Sequence, residues 1–199
     1  GPSANRSGRP SPTDAQTVFD DMEGRIPLVL DGGECNIGVE STVISFAEEP
    51  PRLLRPGGVT LEEMTALIGE IIVDDAVLNK LEEGAVASSP GMKYKHYAPR
   101  ADITIIKSNF ETFKKLCEDE ENITALCFDG EDEMLSCNSV TYGDKNDGYS
   151  QSVRLFDALR ELDEAGAFKV YARCPDTKGM GLAVYNRLIR AAGFKIKVI

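Results

Sequence analysis

The sequence has no tryptophan, one histidine, and five cysteines that form no C-x-x-C pair. With His96 as the only imidazole, Cys35, Cys117, Cys127, Cys137 and Cys174 lack the partners and spacing of a structural zinc site. They are expected to be reduced thiols of a cytoplasmic protein. No run of about 18 apolar residues occurs, so no membrane-spanning helix is expected. Neither is a basic-then-apolar leader, and residue 1 is Gly rather than Met. Positive charge is also short. Against 33 Asp+Glu there are 22 Lys+Arg, giving a net charge of −11 and a pI near 4.7. Proteins that grip a phosphate backbone carry the opposite balance, which disfavours general DNA or RNA binding.

What remains is the composition of an ordinary globular chain, with 42% hydrophobic residues. Its 199 residues suit one large domain or two small ones. Six of the eight Lys and Arg residues of positions 1–99 are gathered in three places: Arg6 with Arg9, Arg52 with Arg55, and Lys93 with Lys95. All three adjoin turn-rich segments, a pattern that points to anion sites.

Residues 1–12 are too rich in Gly, Pro and Ser for a regular element. A helix is predicted next, with Ser11 as N-cap, Pro12 at the first helical position and Gly24 as its stop. Pro27–Gly33 reads as a short buried strand, Ser41–Phe46 as a β-branched strand and Arg52–Arg55 as a third. Thr60 is expected to cap a helix with Leu61, Met64, Leu67 and Ile68 at helical spacing. The segment from about residue 74 to 100 reads as a connection. Beyond it strands are predicted at 103–106, 123–128, near Val140, at 168–172 and at 195–199. Helices are predicted at 110–117, from a Ser152 cap onward, and at 181–192. Alternating strands and helices imply a parallel, three-layer α/β sheet. The first half, with three short strands and two helices, has little with which to close a core.

Four segments carry chemistry. The opening Pro2-Ser-Ala-Asn-Arg-Ser-Gly-Arg-Pro-Ser11 holds hydroxyls, an amide and two guanidinium groups beside a helix start. It reads either as a phosphate cradle or as ordinary turn and cap residues. Gly38-Val-Glu-Ser-Thr42 sets hydroxyls and a carboxylate at a strand mouth, where ligand contacts or simple β-propensity account for them equally. Arg55 ends an apolar strand and would meet a phosphate or a nearby acid. Lys93-Tyr-Lys-His-Tyr97 crowds two lysines, two aromatics and the sole histidine into the connection, with no apolar periodicity to bury them.

In series, Pro2–Thr13, Leu30-Asp-Gly-Gly33, Gly38-Val-Glu-Ser-Thr-Val43, Leu54-Arg-Pro-Gly57, Ser89-Pro-Gly-Met-Lys-Tyr-Lys-His-Tyr-Ala-Pro99 and Gly179-Met-Gly-Leu-Ala-Val-Tyr-Asn-Arg-Leu188 resemble the L-threonylcarbamoyladenylate synthases of the YrdC/Sua type, in their two-domain form. The resemblance implies the C-terminal part of a YrdC-like twisted α/β domain over 1–75 and a linker over the active site at 76–100. A Rossmann-like parallel three-layer domain would fill 101–199. It implies synthesis of threonylcarbamoyl-AMP from L-threonine, bicarbonate and ATP with Mg²⁺, releasing pyrophosphate. A threonylcarbamoyl transferase complex would then act on tRNA. Position by position it implies ATP contacts at Ser3, Asn5, Ser11, Arg55, Tyr94 and His96, and threonine contacts at Ser41 and Gly1. No covalent nucleophile and no resident metal are implied. The family's N-terminal part, with a basic phosphate site, is not represented, so these residues alone are expected to be inactive. Two other readings stand beside this one. The first is an RNA-binding module, which the charge opposes. The second is a regulatory or assembly role for 100–199, where Gly179-Met-Gly181 is only a partial nucleotide motif.

Overall fold

A three-stranded sheet and a five-stranded sheet organise the computed structural model, which describes residues 4–6, 9–80 and 98–199. Helix α1 (Ala15–Met22) opens the first unit. Its N-cap is Asp14, whose carboxylate accepts from the Thr17 N–H at 2.8 Å, and not Ser11, which is committed elsewhere. Asp14 is held below the usual carboxylate range, chiefly by that backbone N–H. After Gly24 (φ 71°) the chain runs through 27–33 without forming the predicted strand. Leu28 and Leu30 are 68% and 85% exposed, and among the described residues no ladder partner lies beside them.

Strands β1 (Val43–Ser45) and β2 (Arg52–Arg55) pair antiparallel, and β3 (Ile72–Val73) joins β2 in parallel. Between them lies α2 (Leu61–Ile68), started by a complete capping box between Thr60 and Glu63. Such a cap stabilises a helix by about 1 kcal/mol. Only the first half of its apolar stripe is used. Leu61 and Met64 pack on Leu53, Ala76, Val77 and Leu182, while Leu67 and Ile68 stay exposed. After β3, a 3₁₀ turn at Asp75–Val77 occupies the start of the predicted connection.

The second unit is as expected in class. Strands β4 (Asp102–Lys107), β5 (Ile123–Cys127), β6 (Asn138–Thr141), β7 (Lys169–Arg173) and β8 (Ile196–Val198) lie in the order β6-β5-β7-β4-β8, all parallel. Helix α3 (Phe110–Glu118) lies on one face, where Phe113 and Cys117 pack on Ile106, Ala125 and Cys127. Helices α4 (Gly148–Glu164) and α5 (Met180–Ala191) cover the other, with Leu155, Leu159, Val184 and Leu188 in one core with Ile103, Ile105 and Val170. Helix α4 starts at an Asp147 cap, five residues before the predicted Ser152. The Ser152 hydroxyl instead donates back to the Tyr149 carbonyl, a bond open to serine inside a helix.

Helix α5 is packed between the two units, and all its residues but Tyr185 are buried. One side lies against the parallel sheet; the other meets the first unit, where Met180 and Ala183 pack on Val39. A Cβ on Gly38 would sit 2.5 Å from the Ser152 carbonyl oxygen, so only glycine lets this segment lie on α4.

Candidate active site

The β1–β2 hairpin brings two of the predicted ligand residues into contact. At the end of β2 the Arg55 Nε donates to the Ser41 carbonyl oxygen at 3.0 Å. Pro56-Gly57 stops the strand and folds the backbone onto Glu40–Thr42. A Cβ on Gly57 would lie 2.3 Å from the Thr42 nitrogen and 2.4 Å from the Glu40 oxygen. Thr42 closes this turn with its hydroxyl, donating to the Val59 carbonyl at 2.6 Å and accepting from the Val59 N–H at 3.1 Å. Ser41 is exposed at this edge.

The entry loop, residues 9–14, reaches the same turn through Glu40. Ser11, 6% exposed, donates its hydroxyl to Glu40 Oε1 at 2.8 Å, and Arg187 Nε reaches Glu40 Oε2 at 2.8 Å. Burial alone would raise the Glu40 pKa, but the charge and hydrogen bond of Arg187, with the Ser11 hydroxyl, hold it below the usual range. An ionised carboxylate only accepts, so the Ser11 proton is fixed toward Glu40. What Ser11 presents on its other side is acceptor character.

Arg6, Arg9 and Arg52 behave differently from the anion sites predicted for them, and Lys93 and Lys95 lie outside the described residues. Arg6 and Arg9 turn onto the buried Asp21, through the Arg6 N–H at 3.4 Å and the Arg9 guanidinium at 3.7 Å. Arg160 from α4 grips the same carboxylate with two bonds of 3.2 and 2.9 Å. It also reaches the Pro10 carbonyl, next to Ser11. Asp21 is consequently shifted down, burial opposing and Arg160 prevailing. Arg52 pairs with Glu48 and Asp74. Asn5 spends its amide N–H groups on the loop's own Arg6 and Arg9 carbonyls, at 2.9 and 3.0 Å.

Of the predicted site residues, Ser11, Ser41 and Arg55 thus converge through Glu40 and the hairpin, and Asn5 shapes the loop that delivers Ser11. Gly1, Ser3, Tyr94 and His96 lie outside the described residues. Sequence reasoning missed Arg187, Arg160 and Asp21. Helical spacing marks the Arg187 position as buried, along with Asn186 and Arg190 on the same helix, but names none of its partners. Among the described residues no group of three or more His, Cys, Asp or Glu side chains is placed to hold a metal ion. A cavity of about 350 Å³ opens at the N-termini of α4 and α5, lined in part by Lys145, Gln151, Lys178 and Gly181. Ser11, Ser41 and Arg55 are not in its lining.

Fold and site together define a two-sheet α/β protein. A small domain presents hydroxyls and a guanidinium at a hairpin edge, and a parallel-sheet domain braces it from behind. Residues 59–193 match the family model described as "Threonylcarbamoyl-AMP synthase, C-terminal domain", and residues 1–57 match one described as "Telomere recombination". The chain is 42% identical to the threonylcarbamoyl-AMP synthase of Pyrococcus abyssi, over 98% of this chain and 58% of that protein. It is 41% identical to that of Bacillus subtilis, over 98% and 57%. In structure it is similar to P. abyssi Sua5 complexed with L-threonine, with a TM-score of 0.84 at 38% identity, covering 100% of this chain and 58% of that one. The chain belongs to the threonylcarbamoyl-AMP synthase family. It spans somewhat over half the length of the relatives it matches.

Proposed function

We propose that this chain contributes one wall of an active site that joins L-threonine, bicarbonate and ATP into threonylcarbamoyl-AMP, with release of pyrophosphate. The observation that carries this reading is the contact between Ser41 and Arg55 at the hairpin edge. It sets a hydroxyl-bearing residue suited to threonine beside a guanidinium suited to the phosphates of ATP. The relatives' names, and the L-threonine bound to P. abyssi Sua5, support the same assignment. Ser11 then meets the nucleotide as an acceptor, or through its backbone N–H, while Asn5 holds the loop. Gly1 would line the threonine side, and Ser3, Tyr94 and His96 would complete the nucleotide side, the last two from the 76–100 linker. Mg²⁺ arrives with ATP as part of the substrate.

The chemistry asks for placement rather than a covalent nucleophile. The carbamate of threonine must lie against the α-phosphorus while pyrophosphate departs. Orientation of that kind supplies about 7–11 kcal/mol of barrier reduction, and neutralising the phosphate charge supplies more. The product would pass, in the cytoplasm, to a threonylcarbamoyl transferase complex acting on tRNA. No helix among the described residues is long and apolar enough to cross a membrane. The test is pyrophosphate release with ATP, using protein of the relatives' full length. Release should require both threonine and bicarbonate, and Arg55→Ala should remove it. Release that ignores threonine overturns the reading.

A further inference from the structure

The guanidinium of Arg187 is fully buried in a helix of the second domain, yet its bonds run mainly into the first. Its Nε donates to Glu40 Oε2 at 2.8 Å, one Nη to the Pro56 carbonyl at 2.7 Å, and the other to the Glu40 carbonyl at 3.1 Å. A neighbouring bond to the Asn186 side chain, at 2.9 Å, fixes its plane. Each contact lands beside a residue of the proposed site. Glu40 orients the Ser11 hydroxyl, the Glu40 carbonyl precedes Ser41, and the Pro56 carbonyl follows Arg55. One side chain therefore sets the mutual distance of three segments that come from separate parts of the first domain.

A buried ion pair is weak evidence for stability, because well-packed apolar groups in its place often stabilise as much or more. Fold maintenance alone would be served by a hydrocarbon side chain on α5. The planar fork of arginine does something an apolar residue cannot: it spans three acceptors at fixed angles. We propose that Arg187 is a positioning residue for the active site, holding Ser11, Ser41 and Arg55 in register through Glu40 and the Pro56 turn. The parallel-sheet domain is then a working part of the site rather than an appended module. This proposal rests on the function proposed above and adds to it a residue outside the ligand-contacting segments.

The test uses protein of the relatives' full length and four forms: wild type, Arg187→Lys, Arg187→Met, and Arg187→Met combined with Glu40→Gln. KM for ATP and for threonine, kcat and the melting temperature are measured for each. Arg187→Met is expected to raise KM for ATP at least about tenfold, as truncating one partner of a buried charge pair does, with a smaller change in kcat. Arg187→Lys keeps the charge without the span and should fall between. Adding Glu40→Gln should recover part of the loss, because the amide oxygen still accepts from Ser11 and no unpaired carboxylate is left buried. An active wild type whose KM values survive Arg187→Met, or Arg187→Lys where Met does not fold, overturns the proposal even if the melting temperature falls. A wild type that releases no pyrophosphate with these substrates overturns the proposed function, and this proposal with it.

Discussion

Replacing Arg160 by Met tests how firmly the second domain holds the entry loop. Asp21 is 2% exposed and receives two bonds from Arg160. Removing the partner of a buried carboxylate costs about 3–5 kcal/mol. Arg9 remains 3.7 Å away and the Arg6 N–H still donates, so the low end, about 3 kcal/mol, applies. For a chain of this size that lowers the melting temperature by about 6–12 °C. The loss has a pH signature. In the wild type the Asp21 pKa is depressed, so the pair's contribution is present above the ordinary carboxylate value and fades as pH falls through the depressed one. In Arg160→Met, burial opposes ionisation, and acid relieves the penalty by protonating Asp21. The gap between the two proteins in thermal unfolding should therefore be widest near neutrality and narrow below about pH 4. A second change, Asp21→Asn, should restore much of the loss at neutral pH. A gap under about 2 °C at pH 7, or one that does not narrow in acid, refutes the reasoning.

Other outcomes follow from the same geometry. Gly57→Ala forces a methyl to within 2.4 Å of two backbone atoms, so the turn must open. Weaker binding of both ATP and threonine is expected by titration calorimetry, whereas unchanged affinities would mean the turn does not set the site. Asp157 accepts from the Thr13 hydroxyl at 2.7 Å, and burial, its largest influence, raises its pKa. Its charge is therefore a burden at neutral pH, and Asp157→Asn, which keeps an acceptor, should raise the melting temperature. Burial pushes the Cys117 and Cys127 thiols up to about 12, while Cys35 is exposed. At pH 8 iodoacetamide should label Cys35 and spare that pair until the protein unfolds, as peptide mass mapping would reveal.

Much of this was legible in the residues themselves, and the exceptions have physical causes. Ile103–Ile106, Ile123–Phe128 and Phe168–Ala172 stand out as apolar runs between helical periods, and each coincides with a strand of the parallel sheet to within a residue or two. The Thr60 cap was equally plain, and the structure adds Glu63 to it as a capping box. Caps failed where two candidates competed. Asp14 took the role read onto Ser11 because Ser11 had a better partner in Glu40, a residue 29 positions away. Pro27–Gly33 has a strand's composition but, among the described residues, no strand to pair with, and a lone strand has nothing to satisfy its backbone. Within the candidate site, the strands beside Ser41 and Arg55 were readable because strand composition is local. Arg187 and Asp21 were not, since their meaning depends on partners more than 130 residues distant, which periodicity cannot reach.

A crystal structure of the full-length protein with L-threonine and a non-hydrolysable ATP analogue tests the account where it is most exposed. It should place the amino acid within hydrogen-bond reach of Ser41 and the phosphates within reach of Arg55. Ser11 should stay bonded to Glu40, and Glu40 to Arg187. A nucleotide seated instead in the cavity between the N-termini of α4 and α5, with the Ser41–Arg55 edge empty, would contradict it.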